Sequence, residues 1–179
     1  MRTPLYEGRF VSVVRDEETG HEIVLAPNCA GVLIYVEDMD AVVLVRQHRP
    51  AIAEQAFEGL SMENPGGRCD QTFTPQEVMA KEALEEAGVH VDPARIELLN
   101  HGKPVANSPG ILTQCMYFGF ARVRSSALES DQKFGVTNEG ERTVRHLVQV
   151  SQLRTMVFDS MTTMVLVEWF LAHRAPKTP

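Results

Sequence analysis

Apolar and polar positions divide the chain into short strand-like runs, one strongly helical stretch, more strands and a helical tail. RFVSVVR from Arg9, the turn formers DEETG and HEIVLA from His21 place β-branched residues on either side of a turn and predict a β-hairpin. GVLIYV (31–36) and AVVLVR (41–46) flank the acidic turn EDMD. Their near-continuous apolar character predicts a second hairpin, central in the sheet and covered on both faces. From Thr74 the period changes: Thr74-Pro75-Gln76-Glu77 offers an N-cap, a proline at the first helical position and a capping-box glutamate, and Gly88 supplies the stop. RIELLN, CMYFGFARV and TVRHLVQV then read as strands, Ser151 and Asp159 are each candidate helix caps, and 160–174 predicts an amphipathic helix that closes the core.

The order is therefore strands, a helix, strands, then helices, an α+β pattern with helices on both sides of a mixed sheet. No repeat or low-complexity tract interrupts it. A length of 179 residues with 44% hydrophobic content suits one folded domain with an appendage.

Charge narrows the partners. The net charge of −7 argues against nucleic acid or an acidic membrane surface, which are gripped mainly by Lys and Arg. A polyphosphate substrate would need a cation to shield it. Cys29, Cys69 and Cys115 are odd in number and show no C-x-x-C spacing, so a reduced, cytoplasmic protein without a disulfide framework or zinc site is expected. MRTPLYEGRF contains no apolar segment of signal type, and the apolar tail at 164–172 is short and broken by Glu168, so neither export nor a membrane span is expected.

Candidate chemistry concentrates in NPGGRCDQTFTPQEVMAKEALEEAGV (64–89). At about 100° per residue, Glu82, Glu85 and Glu86 share one arc of the helix, while Ala80, Ala83, Leu84 and Ala87 share the opposite one. The spacing predicts that the alanine side is buried and the acids displayed. Alone, the trio reads as a solvated face on which Lys81 pairs with Glu77 and Glu85, its internal repulsion costing about 0.2–0.5 kcal/mol. It also has the character of a Mg²⁺ or Mn²⁺ site, since hard cations take several oxygens, and Pro65-Gly66-Gly67 lets a backbone carbonyl approach.

Together these residues resemble the Nudix box: a glycine, five residues, a glutamate, seven residues, then R-E-U-x-E-E-x-G-U with U aliphatic. Gly67, Glu82, Glu85, Glu86 and Gly88-Val89 fall in register with it. YEGRF, AVVLVRQHRP, the M-E-N-P-G-G run and NSPG from Asn107 extend the resemblance to the ADP-ribose pyrophosphatase-like branch. It implies a Nudix fold, an α/β/α sandwich with a mixed β-sheet and an N-terminal β-hairpin, in which 1–30 serve dimerisation and 31–179 form the hydrolase domain. Glu82 and Glu86 would be the principal metal ligands, with Glu85 beside them and the Gly66 carbonyl contributing. Two positions depart from the pattern. Phe73 stands in place of the early glutamate and Lys81 in place of the arginine, two side chains that in the family usually interact to hold the loop on the helix.

The same resemblance gives NEGER (138–142) the part of an acidic loop that closes over the metals, with Glu139 as general base, Glu141 as a further ligand and Glu85 as a second candidate catalytic acid. Arg46 and Arg49 could meet a diphosphate or stack on a base. Gly67 and the NSPG residues Ser108, Pro109 and Gly110 form the substrate side. His48, His101 and His146 show no metal-ligand spacing and read as surface or satisfied polar groups. The function implied is Mg²⁺-dependent or Mn²⁺-dependent hydrolysis of a nucleoside diphosphate linked to another moiety, ADP-ribose first and GDP-mannose or UDP-glucose next. The rival is a degenerate module that binds a nucleotide without hydrolysing it. A small-molecule nucleotide sugar and a second copy of the chain are the expected partners.

Overall fold

In the computed structural model, residues 1–9, 11–54, 59–70, 72–135 and 142–173 are described. The strands, in chain order, are β1 (Arg2–Glu7), β2 (Ser12–Asp16), β3 (Glu22–Leu25), β4 (Cys29–Val36), β5 (Ala41–His48), β6 (Leu60–Glu63), β7 (Gly66–Arg68), β8 (Glu97–Leu98), β9 (Val105–Ala106), β10 (Cys115–Val123), β11 (Lys133–Phe134) and β12 (Thr143–Gln149). Helix α1 (Pro75–Ala87) lies between β7 and β8, and α2 (Val150–Leu153) and α3 (Met161–His173) follow β12.

The large sheet runs β11-β12-β5-β4-β10-β8, with β6 beside β5, β7 beside β4 and β9 beside β10. Only the pairing of β4 with β10 is parallel, so the sheet is mixed. β4 and β5 are central and buried on both faces, as their apolar runs predict. Alternate residues feed two cores: Val32, Ile34, Val43 and Val45 pack under α1 with Met79 and Ala83, while Leu33, Val42 and Leu44 pack under α2 and α3 with Leu153, Leu166 and Phe170. The architecture is thus an α/β/α sandwich with a mixed sheet, as expected.

The predicted first hairpin forms as β2 and β3. Its turn is tied by Asp16, whose Oδ1 accepts from the Thr19 N–H and hydroxyl, both at 2.9 Å. It is extended by β1, a strand the sequence reading leaves out: all six of its residues are exposed, so no buried alternation marks it. These three strands form a separate sheet, joined to the rest by the Val24 to Leu112 bridge and by hydrogen bonds from the 107–114 segment.

α1 begins and ends where its caps predict. Thr74 and Glu77 form a reciprocal capping box, and Gly88, at φ 58°, closes the last turn. Arg145 on β12 steadies the same end, donating to the carbonyls of Ala87 at 2.8 Å and of Gly88 at 3.2 Å. The helix is rolled relative to the sequence expectation. Leu84 is 39% exposed, whereas Glu86 is 3% exposed and buried with Val78, Met79, Ala83 and Ala87. Bulk decides the roll: Val78 and Met79 each gain about 1.5–3 kcal/mol on burial, and Glu86 lies seven residues from Met79, within about 20° of its meridian.

Neither proposed cap behaves as expected. Ser151 lies inside α2, whose N-cap is Gln149. At α3 it is Ser160, not Asp159, that accepts from the Thr163 N–H, at 3.4 Å. α3 buries Thr163, Leu166, Val167 and Phe170 at helical spacing and closes the core as expected, but it is not amphipathic: Met161, Met164 and Val165 on its outer side are 52%, 46% and 41% exposed, so apolar residues lie on both faces. Among the described residues no helix is long and apolar enough to cross a membrane.

Candidate active site

Antiparallel pairing of β4 with β7 sets Gly66 opposite Gly31 and Gly67 opposite Ala30, and α1 lies across them. The glycines are there for closeness. A Cβ on Gly66 would sit 2.7 Å from the Ala30 carbonyl oxygen, and one on Gly67 would collide with the Glu82 carboxylate. The approach to this pair is anchored from the far side of the sheet. Asn64 is buried; its N–H donates to Thr163 Oγ1 at 3.0 Å, and the Thr163 hydroxyl donates back to Asn64 Oδ1 at 2.9 Å.

The three helix carboxylates have different surroundings. Glu86 Oε2 accepts from the Gly66 N–H at 2.9 Å, which offsets part of the cost of burying its charge. Glu82 lies over Gly67, mostly covered, and Glu85 is one-third exposed. Lys81 Nζ stands 2.9 Å from Glu85 Oε2 and 3.9 Å from Glu82 Oε1. Glu77, the other expected partner of Lys81, is engaged by the Thr74 cap, which lowers its carboxyl below the usual range.

Glu82, Glu85, Gly66 and Gly67 line a cleft of about 1020 Å³, whose other walls include Arg49, Arg68, Phe73 and Tyr117. Arg49 is held by a fork: its Nε lies 3.1 and 3.2 Å from the two oxygens of Glu63, and its Nη2 lies 2.7 Å from Oε2. Gln47 Nε2 donates to the same oxygen at 3.2 Å. Burial pushes the Glu63 carboxyl up, but Arg49, with Ser61 and Gln47, outweighs it and holds the group below its ordinary range.

Cys29 and Cys69 also line the cleft. Burial is the main cause that raises both thiols, Cys69 to about 11, so both remain protonated near neutral pH and are poor nucleophiles.

Other sequence candidates lie elsewhere. Arg46 is exposed and points to the α3 side of β5, across the sheet from Val45, and it is not in the cleft wall. Ser108, Pro109 and Gly110 form an exposed turn in which the Ser108 carbonyl accepts from the Ile111 and Leu112 N–H groups; this turn borders β3 rather than the cleft. Glu139 and Glu141 lie outside the described residues. Conversely, Arg68 and Tyr117 line the cleft without having been singled out. Arg68 directly follows the paired glycines, a visible signal, whereas nothing local in CMYFGFARV says which of its aromatic side chains faces a cleft.

The donor set suits a hard divalent ion: three carboxylates, oxygen donors all, on little more than one helical turn. Among the described residues, no three His, Cys, Asp or Glu side chains already converge on one point. Glu86 is turned to the Gly66 N–H and the Lys81 ammonium stands by the other two. The fit is therefore one of donor chemistry and of placement on α1: Glu82 and Glu85 line the cleft, whereas Glu86 is buried behind it against β7. The chain matches the family model described as NUDIX domain over residues 27–165, well over half its length. No curated protein matches it.

Proposed function

The chain belongs to the Nudix family of hydrolases, which act on nucleoside diphosphate derivatives, generally with Mg²⁺ or Mn²⁺, and on that premise we propose that it hydrolyses the pyrophosphate bond of ADP-ribose to give AMP and ribose 5-phosphate. The observation that carries this reading is the cleft itself, which Glu82 and Glu85 line together with Arg49 and Arg68. Carboxylates for a divalent ion and arginines for a diphosphate are both needed in one place. YEGRF, AVVLVRQHRP and the M-E-N-P-G-G run favour the ADP-ribose branch over GDP-mannose or UDP-glucose.

Glu82, Glu85 and Glu86, with the Gly66 carbonyl, would hold the ion, and Glu141 would add to them. When bound, the ion supplies Lewis-acid neutralisation of charge that builds on the phosphoryl oxygens. The chain's own groups do the rest. Arg49, held edge-on by Glu63, orients the diphosphate, and the absence of a side chain at Gly67 lets the Glu82 carboxylate lie directly over β7. Glu139 takes the proton from the attacking water, with Glu85 as the candidate within the described residues.

A degenerate, nucleotide-binding module is the second reading, favoured by Phe73 in place of the loop acid and by the Lys81 ammonium beside Glu82 and Glu85. Assaying ADP-ribose, GDP-mannose and UDP-glucose hydrolysis with Mg²⁺ and Mn²⁺ separates the two. Turnover that Glu86→Gln reduces on the order of 10²-fold or more supports the enzyme. Saturable binding of ADP-ribose without turnover of any substrate would establish the binding module instead.

Two further assignments belong to the same reading. Residues 1–30 form a dimerisation unit and 31–179 the hydrolase domain; the wholly exposed β1 and the solvent-facing Leu5 and Tyr6 support a homodimer built through that sheet. A monomer mass in light scattering at micromolar concentration would exclude it. The three free cysteines suit a reducing cytoplasm.

A further inference from the structure

Phe73 takes no part in holding an ion or a diphosphate, yet its ring is 48% exposed inside the cleft. A single apolar residue on an open surface is ordinary; one set in the wall of a polar cleft, beside Pro75 and in the same cavity as Tyr117, is less so. Its backbone is fixed on both sides. Asp70 Oδ1 accepts from the Thr72 N–H at 2.8 Å and from the Phe73 N–H at 3.2 Å, and the next residue, Thr74, is locked into the capping box. The backbone that carries the ring therefore needs little ordering on binding.

The cleft is also divided by chemistry. Glu82, Glu85 and Lys81 lie in the second half of α1, whereas Phe73 precedes its first turn. At about 1.5 Å per residue, Pro75 at the start of the helix and Glu82 are about 10 Å apart along its axis. A polyphosphate gains nothing from an aromatic ring, but a nucleobase does, because every base has a π-face.

We propose that Phe73 is a specificity-determining residue whose ring stacks on the nucleobase of the substrate while the diphosphate lies toward Glu82 and Arg49. This rests on the nucleoside diphosphate reading of the cleft. It gives the loop position that carries an acid in the box pattern a different task in this chain.

The test is binding by calorimetry to the full chain, with ADP as the probe that carries a base and inorganic pyrophosphate as the probe that lacks one. Phe73→Ala is expected to weaken ADP about tenfold, within the range for loss of one base-aromatic stack, while pyrophosphate stays within about twofold. Phe73→Trp is expected to keep ADP affinity, and its fluorescence, read above the Trp169 background of the wild type, to be quenched by ADP and not by pyrophosphate. ADP affinity unchanged in Phe73→Ala, or an equal loss for both ligands, overturns the stacking role alone. If the wild type binds neither probe, the nucleoside diphosphate reading falls, and this role falls with it.

Discussion

Replacing Arg49 by alanine removes the fork that grips Glu63 and leaves that carboxylate with Gln47 and Ser61 as donors. One-sided removal of a fully buried partner costs about 3–5 kcal/mol, and loss of an exposed pair about 0–1 kcal/mol. The Glu63 side chain is 15% exposed and that of Arg49 42%. With two donors left, the loss should fall between those limits, at about 2 kcal/mol, or about 4–8 °C in Tm for a chain of this size. Glu63→Gln removes the charge but strands nothing, because the guanidinium can turn to water, and should cost about 1 kcal/mol.

The pH dependence distinguishes the two variants. In the wild type Glu63 lies below its ordinary value, so its contribution is present above the unfolded carboxyl pKa and lost as pH falls through the lower folded one. In Arg49→Ala burial dominates and the carboxyl protonates at a higher pH than before. The deficit relative to wild type should therefore shrink as pH falls from neutrality into the ordinary carboxyl range, while that of Glu63→Gln stays flat near neutrality. Thermal unfolding followed by circular dichroism across that range is the assay. A cost for Arg49→Ala no greater than for Glu63→Gln, or a deficit that does not change with pH, would refute the reasoning.

Gly67→Ala places a Cβ against the Glu82 carboxylate; it should cost about 1–3 kcal/mol by overpacking and weaken Mn²⁺ binding measured by electron paramagnetic resonance, with unaltered Mn²⁺ affinity as the contrary result. Arg145→Ala removes hydrogen bonds to the carbonyls of Ala87, Gly88, Glu129 and Asp131; chemical denaturation should show a loss of about 2–3 kcal/mol. Thr74→Ala deletes the hydroxyl of the capping box and should lower stability by about 1 kcal/mol, seen as a small fall in Tm with the spectrum of the folded state unchanged.

What was legible in the sequence was what local physics dictates. The caps of α1, the buried run of β4 and β5 and the acidic turn between them need only neighbouring residues to specify them. That Gly67 and Glu82 belong to one site was legible only through the resemblance to the box pattern; their close contact follows from how α1 lies over β7, which no local rule specifies. Side-chain direction was less so. The roll of α1 depends on competition between Leu84 and the pair Val78 and Met79 for a sheet surface that no local pattern describes. Arg46 and Arg49 look equivalent in VRQHRP, yet Arg46 lies on the exposed side of a strand and Arg49 beyond its end, beside Glu63. β1 was hidden because a strand with no buried face has no alternation to read.

The bonds between Asn64 and Thr163 join residues 99 positions apart. During synthesis the box is complete long before its anchor: the glycine pair and the carboxylate helix leave the ribosome while α3 is still being translated. A nascent or truncated chain lacking α3 would expose Asn64 and the apolar underside of β4 and β10, and the loop at Gly66 would have to find its place without them. Competence of the site is thereby tied to completion of the chain, so a protease that clips α3 would disarm the cleft from the opposite face of the sheet without touching any residue that lines it.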